Sequence, residues 1–241
     1  MAPLERESVR NNLLRTMTPD IFSRLQPLME RVDLPARHLL VEPHVPTAYV
    51  TFLESGLCSL VATSADAEDI EVGHVGSEGL AGAHILLKVK STPNRAFMQA
   101  PGSGIRVPSE AMLDILQDSD TNTLLMNYIH CCEIQVAHSA LANARYNMHE
   151  RLARWLLMCH DRIHGDDLPL THEFLSIMLG VRRSGVTNEL HVIEGMKAIK
   201  ATRGNIRILD RKRLEDIAGA SYGEPEKEYD RLIGRTVSSR R

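Results

Sequence analysis

The stretch Leu170-Thr-His-Glu-Phe-Leu-Ser-Ile-Met-Leu-Gly-Val-Arg-Arg-Ser-Gly-Val-Thr-Asn-Glu-Leu-His-Val-Ile193 decides how the remaining sequence is read. It meets the steric requirements of two short helices joined by a tight turn. Thr171 is placed to cap the first helix, and Leu175, Leu179, Val181 and Val186 supply apolar contacts between the two. Ser176 is small where the helices cross, and Gly180 sits at the turn, where a left-handed backbone is easiest for glycine. The second helix opens on Arg182, Arg183 and Ser184, with Thr187 and Asn188 one turn on. Such a helix presents its N-terminal residues to base edges, and arginine is the best bidentate partner for guanine. Two residues fit the pattern less well: Glu189 stands where an aliphatic residue is expected, and Gly185 weakens the helix by about 1 kcal/mol relative to alanine.

Downstream, residues 198–209 read as two β stretches around Arg203-Gly204-Asn205, the wing of a winged helix. Lys200 and Arg203 are placed there to reach phosphates. Charge follows the same partition. The 241-residue chain has 28 basic and 31 acidic side chains, net −3. Residues 1–168 carry 14 basic and 21 acidic groups, whereas residues 169–215 carry 9 basic and 5 acidic. An acidic body with one basic module suggests a localised polyanion contact, not indiscriminate nucleic-acid binding.

Upstream, Thr18-Pro19-Asp20 starts a helix. From Val32 to Pro108, short apolar runs at 39–41, 49–53, 57–61, 70–72, 96–98 and 105–107 are separated by glycine and proline, the pattern of a compact β-sandwich or roll. Residues 118–144 then contain neither proline nor glycine. Leu125, Ile129, Cys132, Val136, Ser139 and Asn143 recur there at spacings of three and four, which predicts a dimer seam. A core helix of one monomer is the competing reading. Met148 to His164 is a second helix, with Leu152, Trp155, Leu156, Cys159 and Ile163 on one face.

A roll, a long helix and a winged helix-turn-helix in that order resemble the Crp/Fnr family of bacterial transcription regulators over residues 12–215. Glu54-Ser55-Gly56-Leu57 and Gly76-Ser77-Glu78-Gly79-Leu80-Ala81-Gly82 look like its sensor domain. The expected class is α+β: a cyclic-nucleotide-binding-like, jelly-roll-like β-roll sensor domain (1–117), a dimerisation helix (118–146), a winged helix-turn-helix DNA-binding domain (147–215) and a polar C-terminal tail (216–241). Tyr229, Leu232 and Ile233 offer that tail a short docking helix instead. The resemblance implies a homodimer on a two-fold double-stranded DNA operator that also contacts RNA polymerase. It places Arg183, Ser184 and Asn188 against bases and Thr171 against the backbone.

In relatives that bind cyclic nucleotides, a Gly-Glu pair holds the ribose and an Arg-Ser or Arg-Ala pair the phosphate. Arg95-Ala96 matches the second element. The first is altered: Glu78 precedes Gly79, and Ala81 stands roughly where the ribose-binding acid belongs. Gly79, Leu80, Arg95 and Ala96 are thus the candidate effector residues, and the missing acid argues against cyclic AMP. Iron–sulfur-sensing relatives resemble ferredoxins in their cysteine clusters, which lie near the N-terminus, whereas the first cysteine here is Cys58. Cys131 and Cys132 are helical neighbours pointing about 100° apart, which argues against a shared metal.

His160 and His164, four apart, are a permissible two-ligand pair, but a polar helix end is the simpler reading. No cofactor or metal is expected. Enzymatic signatures such as Gly-x-Ser-x-Gly or a phosphate-binding Gly-rich loop are absent from the sequence, so no catalytic residues are assigned. Four cysteines without framework spacing, no apolar run near the roughly 18–20 residues of a membrane span, and no signal-peptide core in residues 1–15 predict a cytoplasmic protein without membrane contact. The competing class is an interaction protein whose winged domain contacts protein; Arg182 and Arg183 argue against it.

Overall fold

The computed structural model describes residues 4–234. Its N-terminal part is an antiparallel roll. Strands β1 (Glu30–Leu34), β6 (Arg95–Pro108), β3 (Tyr49–Thr63) and β4 (Asp69–Val75) lie in that order, with β2 (Leu39–Val41) on β6 and β5 (Leu80–Ala81) on β3. The expected runs 49–53 and 57–61 are one strand, as are 96–98 and 105–107. Ser55-Gly56 and Pro101-Gly102, which read as turns, instead form a bulge where β3 and β6 slip in register. Glycine permits it: Gly56 has φ +84°, and a Cβ on Gly102 would lie 2.1 Å from the Ser55 carbonyl oxygen.

Helices α1 (Asn12–Thr16) and α2 (Pro19–Leu25) close one end of the roll, with Thr18 accepting from the Ile21 amide as the sequence requires. After α3 (Ser109–Ile115) comes the long α4 (Ser119–Arg145), capped by Asp118. Helix α5 (Met148–Arg162) follows a capping box in which Asn147 and Glu150 satisfy each other's backbone amides. Strand β7 (Asp167–Leu168), α6 (His172–Leu179), α7 (Arg183–Gly195), β8 (Ile199–Thr202) and β9 (Asn205–Ile208) build the winged module. The expected tail from residue 216 is corrected. Helix α8 (Arg211–Ala218) runs through that boundary, and α9 (Glu224–Leu232) docks on α4. Tyr229 and Ile233, four apart, bury their side chains, and the Tyr229 hydroxyl donates to the Glu78 carbonyl at 2.6 Å. Residues 235–241, the remainder of that expected tail, lie outside the described residues.

The expected α4 seam does not face outward along its whole length, although Val136 and Asn143 are exposed. Leu125 is fully buried in its own core, and Ile129 packs against the same cluster. Cys132 and Val136 line a recess against β4 and α9, while Ser139 and Asn143 line one against α5. Apolar residues occur around much of this helix, so their period indicates its existence better than its rotation. The C-terminal half of the helix faces outward through Val136 and Leu141, 42% and 45% exposed, and through Ala137, Asn143 and Ala144, with Ile134 half-buried beside them.

Helix α5 belongs to both halves. Trp155 and Leu156 share one apolar cluster with Leu57 and Ala100 of the roll and with Leu175, Val186 and Ile206 of the winged module. Its buried polar contacts with the roll are made to β4 and to the turn that follows it. Trp155 Nε1–H donates to Glu71 Oε1 at 2.9 Å, and His74 Nδ1 lies 3.0 Å from the same oxygen. Arg162 Nε–H donates to Glu78 Oε1 at 2.6 Å.

Burial pushes the Glu71 carboxyl up to about 8 and holds His74 neutral. Between its ordinary value and about 8, folded Glu71 retains a proton that the unfolded chain has lost. Stability therefore falls as pH rises through that window, by at most about 1.4 kcal/mol per pH unit. His74 opposes this trend only below about pH 6.5, where its unfolded form gains a proton. Urea melts between about pH 6.5 and 8 should show the decline in the wild type and a flatter profile in Glu71→Gln; equal slopes would assign the dependence elsewhere.

Candidate nucleic-acid interface

Thr171 caps α6, its hydroxyl accepting from the Phe174 amide at 3.3 Å. Gly180 ends that helix with φ +61°, and its amide bonds back to Ile177. Arg182 is the N-cap of α7, so the helix proper begins at Arg183. Val186, Leu190 and Ile193 face the core, which turns Arg183, Ser184 and Asn188 outward. The wing folds at Arg203-Gly204, with Gly204 at φ +75°. A groove results, lined by Thr171, Arg183, Thr187, His191, Glu194 and Arg203.

Four of the predicted contacts thus converge on one surface: Thr171, Arg183, Thr187 and Arg203. Besides the capping Thr171, two predicted residues have internal partners. Thr187, half-buried, shares its hydroxyl between His172 Nδ1 at 3.0 Å and the Arg183 carbonyl at 3.3 Å. Lys200 Nζ lies 3.6 Å from Glu194 Oε1. The basic residues further along are paired as well. Arg207 grips Asp167 through two nitrogens at 2.9 and 2.6 Å, and Arg211 reaches Asp161 at 2.8 Å. Arg182, Arg183 and Arg203 differ: they are exposed, and none forms an ion pair among the described residues. Sequence reasoning missed His172, which latches α6 to α7. It also left Glu189 unexplained, and Glu189 faces His149 of α5 at 3.7 Å.

In the roll, the candidate effector residues do not meet. Leu80 pairs with Phe52 on β3, whereas Ala96 pairs with Leu60 towards its other end. Tyr128 of α4 closes over the first site. Its hydroxyl accepts from the Leu80 amide at 3.0 Å, and a Cβ on Gly79 would lie 2.3 Å from that oxygen. Arg95 is held by Asp69 and lies over the Phe97 ring at 5.3 Å, while Ala96 is buried.

Cys131 is buried and Cys132 half-buried, both free, their thiols pushed up by burial to about 11 and about 12. His160 donates from Nε2 to Asp166 at 2.9 Å and accepts from Arg211 at Nδ1, which fixes its tautomer within a helix-end network. No described helix is long and apolar enough to cross a membrane.

Compared with known families, residues 150–217 match the Crp-like helix-turn-helix domain. The C-terminal module is thus similar to that domain. None of the curated proteins matches the chain. Solved structures match along most of its length. A putative transcriptional regulator of the Crp/Fnr family from Eubacterium rectale is 17% identical, covering 86% of this chain and 97% of its own, with a TM-score of 0.66. FixK2 from Bradyrhizobium japonicum is 15% identical over 79% of this chain and 98% of its own, TM-score 0.69. A Crp/Fnr-family transcriptional regulator from Thermus thermophilus is 21% identical over 78% and 98%, TM-score 0.64. The fold outside the Crp-like module is therefore also that of the Crp/Fnr regulators.

The left-handed residue at the α6–α7 turn should be sensitive. Gly180→Ala introduces a side chain at φ +61° with only Ile70 Cδ1 nearby, at 3.5 Å. The expected loss is about 1–2 kcal/mol, all of it backbone strain. Denaturant unfolding measures it, and unchanged stability would mean that the turn adopts another conformation.

Proposed function

We propose that this protein is a sequence-specific, DNA-binding transcription regulator that acts as a homodimer on a two-fold operator. The observation that carries this reading is the set of exposed cations Arg182, Arg183 and Arg203 around the groove between α7 and the wing, without ion-pair partners among the described residues. Nearby basic groups such as Arg207 and Arg211 have carboxylate partners. Arg183, Ser184 and Asn188 read base edges, while Thr171, Arg203 and, less directly, Lys200 position the phosphate backbone. Dimerisation uses a stripe of half-buried Ile134 and exposed Ala137, Leu141 and Ala144, whose 3-4-3 spacing is that of a coiled-coil seam. Pairing there sets two recognition helices about 34 Å apart, one duplex turn. The sensor does not answer to cyclic AMP: Ala81 offers no ribose acceptor, Asp69 occupies Arg95, and Tyr128 closes over Gly79 and Leu80.

Selection of binding sites from random duplex DNA by the purified full chain tests the proposal. An enriched palindrome supports it, and no enrichment, together with retention of a protein partner by the winged module, would favour the interaction-protein reading. Arg183→Ala should lose roughly 1–3 kcal/mol of specific binding and relax one base position. Arg203→Ala should weaken all sequences alike and flatten the salt dependence. A loss confined to the selected site would remove Arg203 from the phosphate role. Leu141→Asp should shift the chain to monomer in sedimentation, and an unchanged dimer would exclude the stripe.

A further inference from the structure

Helix α5 projects Arg151 and Arg154, three residues apart on one face, into a recess where β4, α4 and α6 meet. The recess has a volume of about 30 Å³, and its other walls include Glu71, His74, Ser139, Asn143 and Leu179. Arg154 is only 5% exposed. Its Nη2 reaches Ser139 Oγ at 3.4 Å, and Arg151 Nη2 donates to the Leu179 carbonyl at 2.6 Å. Both partners are neutral. The Nε–H groups of both arginines are buried without a partner among the described residues. Arg162, further along the same helix, is by contrast neutralised by Glu78 at 2.6 Å.

Guanidinium does not deprotonate in proteins, and an unpaired charge in the interior is costly. The acid within the recess is Glu71, already bonded to Trp155 and facing His74. Burial raises its carboxyl to about 8, so at neutral pH it contributes little negative charge. His74 is held neutral by the same burial, and Glu226 of α9 acts on Arg154 without touching it. The recess thus holds two guanidinium groups with no carboxylate bonded to either, and two unused N–H donors, while the buried Glu226 and Glu71 act on Arg154 only at a distance. Its volume corresponds to about two waters, the scale of a halide or a small planar oxyanion.

We propose that this recess binds one small monovalent anion, a planar oxyanion or a halide, held by the Nε–H groups of Arg151 and Arg154. Charge-assisted bonds to both arginines satisfy the two donors and place a negative charge in contact with them. Because the walls come from β4, α4, α5 and α6, the bound anion fastens the winged module to the roll. It is an effector site separate from Gly79, Leu80, Arg95 and Ala96.

Calorimetric titration and thermal melts of the full chain at pH 7 test it, with sodium nitrate, formate or chloride exchanged for gluconate at constant ionic strength. Gluconate, a much larger and flexible carboxylate, serves as the reference. At least one of the three probes should bind with a stoichiometry of one per chain and raise the melting temperature by roughly 5 °C at about a hundredfold excess over Kd. Arg154→Met, which deletes an unpaired buried charge, should abolish both effects. Arg151→Gln, at a half-buried position, gives the same readout should the first variant fold poorly. The response should also weaken above about pH 8, as Glu71 ionises. Probes indistinguishable from gluconate, or a wild-type response retained in either variant, would overturn the site. The readout is independent of DNA binding, so its failure is separable from failure of the regulator reading.

Discussion

Two buried contacts, Trp155 Nε1–H on Glu71 and Arg162 on Glu78, hold α5 against the roll, and the placement of the DNA-binding surface follows from them. Helix α5 opens the Crp-like module in sequence yet shares its apolar cluster with Leu57 and Ala100. Further contacts run in the same direction: Phe174 of α6 stacks on Phe97 at 6.2 Å, and Gly180 approaches Ile70 of β4. Breaking a buried ion pair on one side leaves an uncompensated charge, typically costing about 3–5 kcal/mol, so the Arg162–Glu78 contact is difficult to give up piecemeal. Strand β4 is thereby coupled to the helix that carries the turn and the recognition helix.

Much of the winged module was legible in sequence because each position has a local steric reason. Thr171 caps, Gly180 takes the left-handed conformation, and Val186 and Leu190 define the inward face that leaves Arg183, Ser184 and Asn188 outside. The extent of α4 and its N-cap followed from the absence of helix breakers. Its rotation did not. With apolar side chains around most of the helix, Leu125 and Ile129 offered as good a period as Ile134 and Leu141, and only packing against β4, α5 and α9 separates them. The roll was legible as a set of strands, but the Ser55-Gly56 and Pro101-Gly102 bulges imitate turns and divide what are continuous strands. Helix α9 was hidden by its charge. Its burial depends on Tyr229 and Ile233, and on a hydroxyl that finds Glu78 some 150 residues away.

The sensor end shows the limit of carrying motifs across by position. Arg95-Ala96 is present as a dipeptide, yet its guanidinium serves Asp69, and Tyr128 covers the backbone of Gly79 and Leu80. Unsatisfied charge lies elsewhere, at Arg151 and Arg154. A signal entering there acts directly on the contact surface between roll and module. Binding need only favour one arrangement of the two halves by its differential affinity.

The central claim is that the roll and the Crp-like module are one mechanical unit joined through α5. Differential scanning calorimetry of the full chain tests it most directly, comparing wild type with Arg162→Met. A single cooperative transition that separates into two in the variant is the expected result. Two transitions already present in the wild type, at temperatures unaffected by Arg162→Met, would contradict it.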